Sequence, residues 1–128
     1  MKSNSDSMNP MSTEEFTRLA ENCERMGIDA IWHEISWVER STDWATRFGT
    51  FEARKEGFFW VVRELLRDGR IVLMSNDAKG APKLSPNELL ARLREVFPLS
   101  DEDLLSGAWF YTNSCPVGMD WVHAEPSA

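Results

Sequence analysis

The sequence predicts an α+β fold: four to five helices packed on a small, mainly antiparallel sheet of about three strands. Before residue 98, apolar side chains recur with the 3.6-residue period of amphipathic helices. Short β-branched and aromatic runs at residues 71–74, 108–112 and 119–123 are bounded by turn-forming residues, as strands are. A chain of 128 residues with 42% hydrophobic side chains can bury one core without disulfides or metals.

We expect one domain over residues 12–123, after a mobile leader at residues 1–11 and before a frayed tail at residues 124–128. The first ten residues lack the apolar run of a secretion signal, and no stretch has the length of a membrane span. Without a secretion signal, Cys23 and Cys115 are expected to be free thiols in a reducing compartment. A cytoplasmic protein is therefore predicted.

Two amphipathic helices open the predicted fold. Ser12 and Glu15 have the spacing of a capping box, and the apolar stripe that follows them indicates the first helix. Gly27 is expected to end this helix. Asp29 is then the expected cap of a second helix with its own apolar stripe.

The longest predicted helix covers residues 50–68, and Gly69 is expected to end it in a left-handed conformation. It follows a connection at residues 41–49 that has a short turn around Trp44. The order Ser85, Pro86, Glu88 is typical of a capped helix start, and Ser100 followed by three acids indicates a further, short helix.

The three predicted strands lie in the second half of the chain. Residues 71–74 are apolar and are expected to form a buried strand. Residues 108–112 and 119–123 are separated by six residues that include Pro116 and Gly118, which suits a hairpin. We therefore predict that these last two strands pair antiparallel.

Catalytic and metal-binding patterns are mostly missing from the sequence. His33-Glu34 has no second histidine at metal-binding spacing, since position 37 is Trp. His123 stands near Asp120, but strand alternation would direct the two side chains to opposite faces. Cys115 lies in an acidic region that would raise the pKa of its thiol. We predict a protein that is not an enzyme and has no metal or cofactor.

Charge is distributed unevenly along the chain. Residues 41–95 hold ten basic and eight acidic side chains, whereas residues 96–128 hold five acids and no Lys or Arg. The net charge of −7 argues against nucleic acid as a ligand, because phosphate contacts need a basic surface. Acids in the first turn of a helix also stabilise that helix without any partner. The missing cations nevertheless predict an acidic partner-binding surface that consists of Asp101, Glu102, Asp103, Asp120 and Glu125.

Two aromatic residues are candidate anchors for a protein partner. Trp37 falls off the apolar line of its predicted helix, and Tyr111 lies in the acidic third of the chain. Trp32 and Trp60 on helical stripes and Trp109 in a predicted strand occupy positions that a core would use. A Trp-rich pocket for a small ligand remains the alternative interpretation of these side chains.

Several segments together resemble an uncharacterised family of small bacterial proteins known by a domain-of-unknown-function label. They are Gly57-Phe58-Phe59-Trp60, Asp68-Gly69-Arg70-Ile71, Val96-Phe97-Pro98, Trp109-Phe110-Tyr111 and Cys115-Pro116 to Trp121. The resemblance extends from near Trp44 to His123. The chain is also similar to proteins encoded beside polymorphic or contact-dependent toxins.

This resemblance, the missing catalytic patterns and the acidic surface together predict a cytoplasmic immunity-type protein that binds and neutralises a cognate, basic, nuclease-like toxin. Such a protein needs a compact fold and often an acidic face that competes for the basic cleft of its toxin. Neither nucleic acid nor membrane is expected as a partner, and the protein is expected to be a monomer or weak dimer. The alternatives are a small-ligand-binding domain, an uncatalogued enzyme, or a structural homo-oligomer.

Overall fold

The computed structural model describes residues 9–75 and 84–122, so most of the predicted leader and all of the predicted tail lie outside it. The helices are Thr13–Cys23 (α1), Ile28–Ser36 (α2), Thr42–Arg47 (α3), Phe51–Arg67 (α4), Pro86–Val96 (α5) and Asp101–Leu104 (α6). The strands are Ile71–Ser75 (β1) and Val117–Trp121 (β2), and 3₁₀-helical turns occupy Val38–Arg40 and Leu105–Tyr111. The predicted α+β class is confirmed, with helix in the majority.

The predicted capping boxes begin α1 and α5. The Ser12 hydroxyl accepts the backbone N–H of Glu15, whose carboxylate accepts the N–H of Ser12 in return. Ser85 and Glu88 repeat this exchange at α5. These starts could be predicted because both partners are three residues apart in sequence.

The predicted cap of α2 is wrong. Gly27 is the N-cap residue, and Asp29 lies within the first turn of the helix. The Asp29 carboxylate accepts the hydroxyl of Tyr111 instead. A tertiary contact between residues far apart in sequence has thus replaced the local cap.

The sheet has two described strands, paired antiparallel from Ile71 opposite Trp121 to Ser75 opposite Val117. The expectation of about three strands, with the last two paired, is wrong. β2 pairs with β1, and residues 108–112 belong to the 3₁₀ segment Leu105–Tyr111.

Side-chain burial explains why this segment is not a strand. Trp109 and Phe110 are consecutive and both buried, and both rings pack against Phe97. Consecutive residues of a strand face opposite sides of a sheet, whereas a tight helical turn can direct both toward one core. The left-handed conformations of Leu105, Ser106 and Gly107 make the turn into this segment.

The predicted buried strand is present as β1, and it is buried on one face only. Ile71 and Leu73 face the core, whereas Val72 and Met74 are about half exposed on the outer face. Val122, just beyond β2, is also half exposed. The outer face of the sheet therefore presents apolar side chains to solvent.

One hydrophobic core includes residues from α1 through β2. Its members from α4 onward include Phe58, Val62, Leu65, Ile71, Leu73, Leu90, Leu93 and Trp109, and Leu66 packs against it partly buried. Met11 is also buried in this core, so core contacts begin within the segment predicted as leader. None of the described helices is long and apolar enough to cross a membrane.

Candidate functional site

An open cleft of about 660 Å³ lies between the sheet, the start of α2 and the end of the 3₁₀ segment. Its apolar lining includes Ile28, Met74, Phe110 and Met119. Gly118 has no side chain, which leaves Met74, its partner across the ladder, free to line the same cleft. Methionine side chains adapt to varied apolar surfaces, so this lining suits a protein or ligand contact.

Tyr111 forms the rim of the cleft and is 69% exposed. Its hydroxyl donates a hydrogen bond to Asp29 Oδ1, and this bond is the main reason why its pKa rises to about 12. The other carboxylate oxygen of Asp29 lies 3.6 Å from His33 Nε2. The ring is therefore exposed to solvent while its hydroxyl is held in place.

Gly107 allows the 3₁₀ segment to pack closely against α2. Its φ of +94° favours glycine, and a Cβ there would lie 2.6 Å from His33 Nε2. The close approach keeps the segment that carries Tyr111 beside Asp29. The Tyr111–Asp29 contact is thus supported by this close backbone approach as well as by its own hydrogen bond.

Two titratable side chains line the cleft, Tyr111 and Cys115, and the pKa of each is raised. With a pKa of about 12, the Tyr111 hydroxyl keeps its proton, and so remains a hydrogen-bond donor, into the alkaline range. Cys115 lines the cleft but is buried, and burial, rather than the acidic surroundings expected from the sequence, raises the pKa of its thiol. Within the described residues, no three His, Cys, Asp or Glu side chains gather as a metal site would require.

Three of the predicted partner-binding acids lie together at the start of α6. Asp101 pairs with Arg54 of α4 at 2.5 Å, so a cation from the middle of the chain neutralises it. Glu102 and Asp103 are exposed. The absence of Lys and Arg in the local sequence therefore does not mean an absence of cations nearby in space.

Asp120 lies elsewhere. It is exposed on the outer face of β2 opposite Val72, which follows the last residue of α4 by five positions, whereas Asp101 pairs with Arg54 in the first turn of that helix. The α4 residues Arg54 and Arg67 are about 20 Å apart along the helix axis at 1.5 Å per residue. The structure thus places the described acids at two positions, and Glu125 lies outside the described residues.

Trp37 is 51% exposed, as predicted, and follows the C-terminal end of α2, whereas the cleft adjoins the start of this helix. The Arg40 guanidinium lies 5.0 Å from the centroid of its ring and also pairs with Glu34. Of the two predicted anchors, only Tyr111 lies at the cleft.

Met74 and Met119, the methionines of the cleft, were not among the site residues predicted from the sequence. Both occur in predicted strands, but their exposure depends on which face the core covers. The signal that could have found them is the count of six methionines with Gly118 beside one of them.

Residues 66–127 match the family described as "Protein of unknown function, DUF596". The C-terminal half of the chain is similar to this uncharacterised family. The match begins at Leu66, later than the resemblance expected from near Trp44. A search of the curated proteins and a search of the solved structures each returned no match.

The DUF596-like segment includes both strands, α5, α6 and the 3₁₀ segment. It therefore contributes Met74, Tyr111 and Met119 to the cleft. The opposite wall, at Gly27 and Ile28, precedes the matched segment. The cleft lies between the matched segment and the part of the chain before it.

Proposed function

We propose that this protein is a cytoplasmic immunity-type protein that binds and neutralises a cognate, basic, nuclease-like bacterial toxin. The observation that carries the proposal is Tyr111: a largely exposed aromatic ring, held through its hydroxyl by Asp29, on the rim of a methionine-lined cleft. Tyrosine is enriched among the residues that dominate binding at protein interfaces. Because the hydroxyl is already held, little conformational freedom is lost on binding.

Charge supports a basic partner. The chain carries a net charge of −7, and Glu102, Asp103 and Asp120 are exposed. Separated acids of one sign still add to a long-range field that steers a basic molecule toward the protein. We propose that these acids speed association with the toxin, whereas Tyr111 contacts the toxin in the formed complex.

A small-molecule site is the second candidate, because the cleft volume of about 660 Å³ falls within the usual range of ligand pockets. None of the described residues that line the cleft is a tryptophan, so a ligand here would not use the predicted Trp-rich pocket. Binding of a metabolite without any protein partner would favour this candidate.

The first test is complex formation with the protein encoded by the adjacent gene. We expect a stable complex with the wild-type protein, and binding at least about tenfold weaker for Tyr111→Ala. Leu99→Ala is the matched control, because Leu99 is 82% exposed and does not line the cleft. Failure to form a complex, or equal affinities for the two variants, would contradict the proposal.

The steering role is tested separately by association kinetics. The double variant Glu102→Lys/Asp103→Lys preserves Asp101 and its pair with Arg54. We expect association to slow by about tenfold at low salt and much less at high salt, since exposed charges are screened. The control Glu14→Lys/Glu21→Lys makes the same change in net charge at exposed positions of α1. Equal slowing in both would show an effect of net charge alone.

A further inference from the structure

We infer that the outer edge of β2 is a strand-addition site, at which an extended segment of the partner toxin pairs with β2 as a third strand. This inference rests on the proposed function and specifies how the partner is held. In strand addition, backbone hydrogen bonds supply affinity and alternate side chains supply specificity.

The ladder register shows which backbone groups face this edge. Val122 N–H donates to the Arg70 carbonyl at 2.9 Å, and the register places these two residues opposite each other. In an antiparallel pair, hydrogen-bonded and non-hydrogen-bonded pairs alternate. Gly118 and Asp120 therefore bond to β1, whereas the N–H and C=O groups of Met119 point away from β1.

Trp121 lies two residues after Met119 in the same strand, so its N–H and C=O groups also point away from β1. Within the described residues, no backbone or side-chain group bonds to the outward N–H and C=O groups of Met119 or Trp121. These groups repeat at the two-residue spacing of a strand, about 7 Å. An extended peptide backbone matches that spacing, whereas a compact ligand does not.

A groove runs along this edge. The 660 Å³ cleft and a neighbouring hollow of about 300 Å³ share Gly27 and Met119, and together they extend from Val117 to Trp121. The Trp121 indole N–H donates to the Met26 carbonyl at 2.9 Å. This bond ties the strand to the opposite wall, so the groove exists before any partner binds.

The outer face of β2 indicates the side chains that an added strand would carry. Next to Gly118, an apolar residue of the added strand would contact the exposed side chain of Met74. Two residues along, next to the exposed Asp120, a Lys or Arg would make a favourable cross-strand pair. The expected segment therefore has an apolar residue and a basic residue separated by one position, in agreement with a basic toxin.

Amide hydrogen exchange in the complex with the adjacent gene's product tests this arrangement. We expect exchange at Met119 and Trp121 to slow by at least about tenfold on binding, because their N–H groups gain partners. Gly118 and Asp120 serve as internal controls, since their N–H groups already bond to β1. Protection at alternate residues is specific to strand pairing.

A proline at the edge gives an independent test. Met119→Pro removes the outward N–H together with the methionine side chain, and proline is tolerated on an edge strand when its missing donor faces away from the ladder. We expect the complex of this variant to be at least about tenfold weaker than that of Met119→Ala, which loses the same side chain but retains the donor. Unfolding curves verify that both variants are folded.

The outcomes separate this inference from the proposed function. If no complex forms, both are wrong. If a complex forms without new protection at Met119 and Trp121, or if Met119→Pro binds as well as Met119→Ala, strand addition is wrong and the proposed function stands. In the absence of the toxin, exchange at Met119 and Trp121 could also slow as the concentration of this protein rises. That result would show that a second copy pairs with the edge, and it would overturn the inference.

Discussion

At the scale of single residues, Tyr111 and Asp29 show how a tertiary bond changes the role of each side chain. From the sequence, Asp29 was predicted to cap a helix and Tyr111 to anchor a protein partner. In the structure, the Asp29 carboxylate accepts a hydrogen bond from the Tyr111 hydroxyl and does not cap the helix. The two residues are 82 positions apart, so no local spacing could have predicted their contact.

The bond predicts an unusual alkaline titration. Tyr111 is the only tyrosine of the chain, so the absorbance of tyrosinate near 295 nm reports on this one side chain. We expect a titration midpoint near pH 12 in the folded protein and near pH 10 after unfolding. Asp29→Asn removes the carboxylate charge and should lower the folded midpoint. A midpoint near 10 in the folded wild type would contradict the Tyr111–Asp29 bond.

The raised pKa of Tyr111 also determines how its contribution to folding stability changes with pH. A group with a raised pKa in the folded state contributes its full stabilisation below the unfolded pKa, and loses it as pH rises through the folded pKa. The Tyr111 contribution is therefore present below about pH 10 and lost between about pH 10 and 12. The difference between wild type and Tyr111→Phe should shrink across this window.

Single residues also show why the predicted acidic surface was incomplete. Asp101 was selected because no cation is near it in sequence, yet Arg54, 47 positions away, pairs with it. Local charge counts cannot include such partners. The exposure of Trp37, in contrast, could be predicted from its position off the apolar line of its helix, and the structure agrees with it.

At the scale of elements, a helix or strand could be predicted from the sequence when the contacts that determine it lie within a few residues. The starts of α1, α4 and α5 and the left-handed Gly69 follow from residues within one turn, and all were predicted. The 3₁₀ segment was mistaken for a strand because its aromatic residues have high strand propensity. Its conformation is decided by the common packing of Trp109 and Phe110 on Phe97, which is a tertiary effect.

The contact between α1 and α3 predicts acid sensitivity. Arg47 of α3 donates to both carboxylate oxygens of Glu15 in α1, at 3.1 and 2.6 Å, and this pairing is the largest cause of the lowered pKa of Glu15. A lowered pKa in the folded state contributes stability above the unfolded pKa, about 4.5, that is lost as pH falls through the folded pKa. We expect Glu15→Gln to reduce the loss of stability on acidification below about pH 5.

The measurement is the urea midpoint of unfolding from pH 7 to pH 3. Glu14→Gln is the matched control, because Glu14 is the adjacent acid on α1 and is exposed. Glu15→Gln should be less stable than wild type at pH 7 and approach it at pH 3. A constant difference across the range would show that Glu15 stabilises the fold by packing or capping rather than by charge.

At the scale of the whole molecule, the hydrophobic core contains residues from both sides of position 66, where the DUF596 match begins. Phe97, inside the matched segment, packs against Trp32, Phe51, Phe58 and Phe59, which all precede it. Ring centroids in these pairs are 5.3 to 6.3 Å apart. The matched segment therefore lacks much of the surface that its own core residues require.

This arrangement predicts that a fragment of residues 66–128 does not fold alone. Without α1 to α3 and most of α4, the side chains of Ile71, Phe97 and Trp109 lose apolar neighbours, and two strands alone are marginal in water. We expect the fragment to lack the near-ultraviolet circular dichroism of packed aromatic rings and to show no cooperative unfolding, whereas the full chain shows both. Adding a separate peptide of residues 1–65 should restore the aromatic signal if the two parts reassemble the shared core. A fragment that unfolds cooperatively by itself would place an independent core within the matched segment and contradict the single core described above.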